Sequence, residues 1–158
     1  MFDPTFSADS LCFAFEQEFL DDLRCIPMVV RFKLDTCGIK LKLAEWHQFA
    51  EDEREQLIYQ PCSAADEIVD YRAFLQDLVL MYTAAEASTL TVEEHPAWLD
   101  SRAITSSVQA QAAHFDVTLT LSQWQALTPL QRFALIKLSR SSHENKNFLP
   151  ALKEFNLL

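Results

Sequence analysis

Apolar and polar residues alternate in two short stretches of the chain, and each stretch leads to a tryptophan. Ile39 to Leu43 alternates apolar residues with lysine, and Val117 to Leu121 alternates them with threonine. This period of two is typical of a half-buried strand. Because each stretch is too short to be stable alone, we predict that the two pair as a small antiparallel ribbon.

A constant offset of 78 residues relates the two stretches and also the segments after them. The match runs without a gap into a second, helical segment, which indicates an internal duplication. We predict that the two tryptophans anchor the core and that the two arginines make structural contacts or cap helices. The aligned pairs are Leu41 with Leu119, Leu43 with Leu121, Trp46 with Trp124, Arg54 with Arg132, Leu57 with Leu135 and Ile58 with Ile136.

Helical spacing and end signals predict the remaining elements. Apolar residues recur from Pro27 at helical spacing, and Gly38 stands where a left-handed C-terminal cap is expected, so a helix is predicted over 27–37. Another helix begins at Glu51 and is stopped by Pro61. The last predicted helices cover the apolar stripe between residues 68 and 82, residues 102–115, residues 129–139 and a short segment around Pro150. Ser63 to Asp66 is expected to cap the helix with the stripe.

These elements predict a mainly α fold. We expect a single compact domain, residues 1–158, built from two pseudo-repeated halves at about 27–83 and 102–157. Each half would contain a helix, a short strand and two further helices, with a small two-stranded antiparallel ribbon between the halves. One fused domain is expected because neither half is large enough to bury its own core.

Composition removes several classes of function. Gly38 is the single glycine, so no glycine-rich phosphate loop or dinucleotide fingerprint can be written. No apolar run is long enough to span a bilayer, and the N-terminus resembles no signal peptide, so we predict a cytoplasmic protein without membrane contact. The four cysteines form no CxxC pair, and reduced thiols are expected.

No catalytic or metal site is predicted. An EF-hand register around Gly38 would place Lys33, Cys37 and Ala44 at calcium-ligand positions, which excludes calcium. Cys25, Cys37, Cys62 and His47 match no zinc spacing, and the cysteines are interpreted as core residues. Cys37 ends a helix, where the dipole raises a thiol pKa, so it is expected to be a poor nucleophile. We therefore predict a protein that is not an enzyme and holds no cofactor.

The charge distribution suggests where a partner would bind. The net charge of -10 argues against nucleic acid, yet residues 24–42 carry a net charge of +4 and residues 129–158 one of +3. Such basic islands are ordinary solvated faces or one face for an acidic partner. We place the predicted partner contact on Arg24, Arg31, Lys33, Arg140, His143, Glu144, Asn145 and Lys146.

Two long segments of the chain resemble a known family. They are residues 23–41, which include LRCIPM and VRFKLDTCGIKL, and residues 130–152, which include LQRFALIKLSR, HEN and NFLPAL. These runs are similar to the nitrate reductase-associated proteins of cyanobacteria. The resemblance implies an accessory or maturation factor for the cytosolic, ferredoxin-dependent assimilatory nitrate reductase, an enzyme with a molybdenum cofactor and an iron–sulfur cluster. It implies no catalytic residues.

Two other functions stay open. The chain is alternatively a small-molecule or anion-binding protein, or an enzyme, that uses a cavity between the two halves, with Arg24, Arg31 or Lys33 as the anion ligands. It is otherwise a regulatory adaptor for a different acidic partner.

Overall fold

The computed structural model describes residues 11–20, 23–140 and 145–158. It is mainly helical with a small two-stranded antiparallel sheet, which confirms the predicted fold class. The chain divides into two compact units, Met1–Val92 and Glu93–Leu158. That the two units form one fused domain stays a prediction.

The first unit contains five helices among its described residues. They are α1 (Gln17–Leu20), which follows a 3-10 turn at Ala14–Glu16, α2 (Met28–Cys37), α3 (Leu43–Gln48), α4 (Glu51–Tyr59) and α5 (Ala65–Thr83). Helix α2 matches the predicted bounds, with Gly38 at φ 79° as its left-handed cap. The buried carboxylate of Glu16 replaces a side-chain cap at its start, because Oε2 accepts the Met28 N–H at 2.8 Å.

The predicted ribbon between the two alternating stretches is wrong. Strand β1 (Ile39–Lys40) pairs antiparallel with β2 (Ser88–Thr89), which lies in the connection after α5. Residues 117–120 form no strand. Their backbone is held instead by the amide of Gln109, which donates to the Leu119 carbonyl at 2.8 Å and accepts the Leu119 N–H at 3.1 Å. A backbone whose polar groups are already bonded does not need a partner strand.

The second unit contains four α-helices among its described residues. They are α6 (Ser106–Ala113), α7 (Leu121–Ala126), α8 (Pro129–Arg140) and α9 (Phe148–Glu154), with 3-10 turns at Ala97–Leu99 and Asn145–Asn147. Thr120 and Thr128 cap α7 and α8, each accepting the N–H three residues ahead at 3.1 Å. In the part of the chain that the structure describes, no helix combines the length and apolar character needed to cross a bilayer.

Local geometry recurs at the 78-residue offset over residues 27–58 and 105–136. The starts of α2, α3 and α4 correspond to those of α6, α7 and α8. Trp46 and Trp124 are fully buried, and each indole N–H donates to a backbone carbonyl, of Leu23 at 2.6 Å and of Asp100 at 3.0 Å. A duplication of whole halves stays a prediction, since the elements outside these segments do not correspond.

Capping of the long helix α5 differs from the prediction. Its N-cap is Ala64, and Ser63 makes no cap through its side chain. The carboxylate of Glu67 instead accepts the N–H groups of Ala64 at 2.8 Å and of Ser63 at 3.3 Å. A carboxylate in the first turn also interacts favourably with the helix dipole.

Candidate functional site: basic side chains and the lysine–thiol junction

Arg24 is an exposed cation at the start of the first basic segment. Its guanidinium lies 3.6 Å from the carboxylate of Glu18, and both side chains are more than half exposed. The backbone carbonyl of Arg24 is bound by His47 Nε2 at 2.5 Å. A carbonyl can only accept, so this ring nitrogen carries the proton. Arg24 is thus a surface charge on an anchored backbone, which suits a partner contact.

Arg31 is partly buried on α2. Its Nη1 lies 4.0 Å from the sulfur of Met28, within the same helix. The side chain therefore covers the first turn of α2 and presents only part of its charge to solvent.

Lys33 lies on α2 but its ammonium group points into the fold. Nζ donates to the carbonyls of Ile58 at 2.6 Å and Gln60 at 2.7 Å, at the C-terminal end of α4. It also lies 5.6 Å from the centre of the Tyr71 ring. A cation at a helix C-terminus satisfies carbonyls that have no partner within the helix. These contacts give Lys33 a structural role, while its predicted contact with a partner stays untested.

Burial lowers the pKa of Lys33 from 10.5 to about 8. Removal from water disfavours the charged form, whereas the nearby sulfur atoms of Cys62 and Cys12 oppose the shift. The lysine still carries its proton at neutral pH, because a pKa of about 8 lies above 7. The positive charge of Lys33 therefore binds carbonyl groups within the first unit.

Cys37 and Cys62 meet beside Lys33, and we name this group the lysine–thiol junction: Lys33, Cys37 and Cys62. Cys62 Sγ lies 3.9 Å from the carbonyl oxygen of Lys33, and Cys37 Sγ lies 3.7 Å from that of Leu34. The two thiols are close enough for each to shift the pKa of the other. All four cysteines, which fall within the described residues, are thiols.

The expected pKa direction for Cys37 is wrong. A hydrogen bond from the Cys62 thiol lowers the pKa of Cys37, and this effect exceeds that of burial. The same bond raises the pKa of Cys62, because Cys62 is the proton donor. Arg72 adds a positive charge nearby, with Nη1 donating to the Cys37 carbonyl at 2.7 Å. The position of Cys37 at a helix end is visible in the sequence, whereas its contact with a second thiol is not.

The predicted contact residues of the second unit are only partly described. Arg140, the last residue of α8, and Lys146 have exposed side chains. The backbone of Asn145 begins the 3-10 turn before α9. His143, Glu144 and the side chain of Asn145 lie outside the described residues. Whether the two basic islands form one face stays a prediction, because they belong to different units.

The net negative charge lies entirely in one unit. Residues 1–92 hold 17 acidic and seven basic residues, whereas residues 93–158 hold six of each. Exposed cations in the second unit therefore act in a neutral background, while those of the first unit stand among acids. For an acidic partner, the second unit is electrostatically more favourable.

Metal binding finds no support among the described residues, where no three His, Cys, Asp or Glu side chains converge to hold an ion. The lysine–thiol junction itself was missed from the sequence. One signal was available: Lys33 and Cys37 are four residues apart on a helix and so share a face. Nothing in the spacing of Cys62 could show that it meets this face.

The structure defines a small, mainly helical protein whose described basic side chains are partly surface charges and partly internal anchors. The chain belongs to the nitrate reductase-associated protein family: the model of the conserved nitrate reductase-associated protein matches residues 12–155. This match confirms the family suggested by the two segments. No curated protein and no solved structure matches the chain.

Proposed function

We propose that this protein is a non-enzymatic accessory factor that binds assimilatory nitrate reductase and supports its maturation or activity. The observation that carries the proposal is the family match over residues 12–155, whose name associates the family with nitrate reductase. On this proposal the partner is the cytoplasmic, ferredoxin-dependent enzyme of a cyanobacterium, and this chain contributes binding energy rather than chemistry.

The exposed cations favour a contact through the second unit. Arg140 and Lys146 are exposed, and the unit that holds them carries no net charge. Arg24 is also exposed but stands in the acidic unit, beside Glu18 at 3.6 Å. Charges at the rim of an interface mainly speed association and make binding sensitive to salt. The proposed contact is therefore strongest at low ionic strength.

The test is co-purification of nitrate reductase with the tagged protein at low salt, combined with deletion of the protein in cells. We expect the enzyme to be captured, and the deleted cells to lose nitrate reductase activity. Normal activity and normal cofactor content in the deleted cells would contradict the proposal. Capture of a different protein with no nitrate reductase would favour the adaptor function.

Charge reversal identifies the contact. Arg140→Glu combined with Lys146→Glu is expected to lower affinity for nitrate reductase on the order of tenfold, equivalent to about 1.4 kcal/mol. Lys153→Glu is the matched control, because it also reverses an exposed charge in the same unit. An equal loss in the control would show that net charge, and not this surface, determines binding.

The ligand-binding alternative is tested separately. A thermal shift with nitrate, nitrite, molybdate or a pterin would support an anion or small-molecule site. Absence of any shift, together with capture of nitrate reductase, favours the accessory function.

A further inference from the structure

The side chain of Lys33, and not a contact of the thiols themselves, holds together the two segments that carry Cys37 and Cys62. Lys33 Nζ holds the carbonyls of Ile58 and Gln60 at 2.6 and 2.7 Å, and so fixes the end of α4 on one face of α2. Cys37 lies one helical turn after Lys33 on this face, and Cys62 follows Gln60 by two residues. Both sulfur atoms lie against adjacent carbonyls of α2, with Cys37 Sγ 3.7 Å from the Leu34 oxygen and Cys62 Sγ 3.9 Å from the Lys33 oxygen.

Core packing alone does not account for this pair. At the 78-residue offset Cys37 corresponds to Phe115, so the local geometry shared by the two segments requires no thiol at that position. The surroundings are also charged: the ammonium of Lys33 acts on Cys62, and the guanidinium of Arg72 acts on Cys37. Nearby cations stabilise a thiolate, the form that attacks a disulfide.

We propose that Cys37 and Cys62 form a reversible intramolecular disulfide, which makes the junction a redox-modification site for disulfide oxidants. The oxidant is a small disulfide such as oxidised glutathione, or the disulfide form of a dithiol protein. The bond would join the C-terminal end of α2 to the segment between α4 and α5. It would lock the first unit and is independent of the proposed association with nitrate reductase.

The chemistry balances in two exchange steps. The Cys37 thiolate attacks one sulfur of the oxidant, and the other sulfur leaves as a thiolate that takes up a proton. Cys62 then loses its proton, attacks the Cys37 sulfur of this mixed disulfide, and releases the second thiol. Two protein thiols lose two electrons and two protons, and one oxidant disulfide becomes two thiols.

Burial controls the rate of this reaction. Cys37 and Cys62 are 2% and 5% exposed, so an oxidant reaches them only when the segment after α4 opens locally. Lys33→Met removes the clamp on α4 and is expected to speed oxidation several-fold. The disulfide itself closes a loop over residues 37–62, so the oxidised protein should unfold at a higher urea concentration than the reduced one.

The experiment equilibrates the full-length protein with reduced and oxidised glutathione, quenches it by alkylation and maps its peptides by mass spectrometry. We expect the oxidised protein to carry two alkyl groups fewer than the fully reduced and alkylated protein, a linked peptide pair that contains Cys37 and Cys62, and full reversal when dithiothreitol is added before alkylation. A protein that stays reduced, that links other cysteines, or that is modified at Cys25 alone would overturn the proposal.

Serine variants assign the order of the steps. Cys62→Ser should stop at one glutathione on Cys37, whereas Cys37→Ser should leave Cys62 unmodified. Cys25→Ser is the matched control and should still form the disulfide between Cys37 and Cys62, since Cys25 lies outside the pair. Modification of Cys62 in the Cys37→Ser variant would contradict the proposed order. Peptide mapping of the protein that keeps all four cysteines decides the proposal even if a serine variant folds poorly.

Discussion

Segments 27–58 and 105–136 share their helix starts but differ where α2 and α6 end. In the first segment, the C-terminal half of α2 carries Lys33 and Cys37, which belong to the lysine–thiol junction. In the second, the residue matching Cys37 is Phe115, whose ring stacks on that of Phe148 with centroids 6.2 Å apart. One local geometry therefore supports a contact between a lysine and thiols in one unit and an aromatic contact in the other.

The comparison separates residues that stabilise the fold from residues that are candidates for a function. Both segments keep the buried tryptophan and an arginine that donates to the backbone around it. A role shared by both units is most simply structural. The thiols and the clamping lysine occur in one unit only, so they are the better candidates for a function.

The largest effect is expected from the shared tryptophans. Trp46→Ala and Trp124→Ala should each lower the free energy of unfolding by about 3–5 kcal/mol, because each removes a fully buried side chain and leaves a cavity. Urea unfolding measures the loss. Leu43→Ala and Leu121→Ala are matched controls on the same helices, since both leucines are about half exposed and should change stability by less than roughly 0.5 kcal/mol.

Unequal losses of unfolding free energy in the two tryptophan variants would show that the two segments do not use their tryptophans in the same way. If one tryptophan variant loses less than about 1 kcal/mol, a value typical of an average point mutation, that tryptophan is not a core anchor.

The two arginines should differ more than the tryptophans. Arg132 is 7% exposed and donates to three carbonyls, of Trp124 at 3.1 Å, Trp98 at 2.9 Å and Leu127 at 2.8 Å. Arg132→Met should lower the free energy of unfolding by about 2–4 kcal/mol, because buried acceptors lose charged donors. Arg54→Met should lower it by only about 1 kcal/mol, because its contacts are more exposed.

Chemical denaturation of the two variants, side by side, measures this difference. A loss for Arg54→Met that equals or exceeds the loss for Arg132→Met would show that burial does not determine the importance of these arginines.

Two left-handed positions that match at the 78-residue offset, Gly38 and Asp116, give the next effect. Gly38→Ala should lower the free energy of unfolding by about 1–3 kcal/mol, because φ is 79° and an added Cβ would lie 3.0 Å from Arg72 Nη1. Asp116 is the matching residue, at φ 58°. Asp116→Gly should be neutral or stabilise by up to about 1 kcal/mol, since glycine relieves left-handed strain. Thermal unfolding of both variants checks the opposite signs, and destabilisation by Asp116→Gly would contradict them.

The sequence predicted those features that depend on neighbouring residues. The bounds of α2, with Pro27 before it and Gly38 after it, follow from local backbone preferences. The cap at Thr128 is equally local, since a hydroxyl needs only an N–H three residues ahead. The cap at Thr120 was missed, because the alternation had assigned this residue to a strand. Buried tryptophans were predictable because each follows an apolar alternation.

Features that depend on distant residues were missed. The partner of β1 is a two-residue strand at Ser88–Thr89, which carries no alternation that a pattern could reveal. The side-chain amide of Gln109 bonds both backbone polar groups of Leu119, ten residues away in the chain. These groups are then not available to pair with a second strand. The meeting of Cys37 with Cys62 depends on how α4 ends against α2.

The last effect concerns the proton on Lys33, and it distinguishes the lysine–thiol junction from the aromatic contact at the matching position of the second unit. Lys33 should titrate near pH 8, because burial lowers its pKa from 10.5 to about 8. The unfolded chain then binds this proton more tightly between pH 8 and 10.5. The contribution of Lys33 to the free energy of unfolding should therefore rise with pH across this window and fall as pH drops through 8.

Two measurements check this titration. NMR of lysine labelled at Cε should show a resonance with a midpoint near pH 8 that is missing in Lys33→Met. The difference in unfolding free energy between the unmodified protein and Lys33→Met should increase from pH 8 to 10.5. Gln111→Met, at the matching position of the second unit, should show no such pH dependence, because it removes no ionisable group. A midpoint near 10.5 would mean that the ammonium group of Lys33 is solvated and does not hold the end of α4. In that case Cys37 and Cys62 should oxidise as fast in the protein that keeps Lys33 as in Lys33→Met.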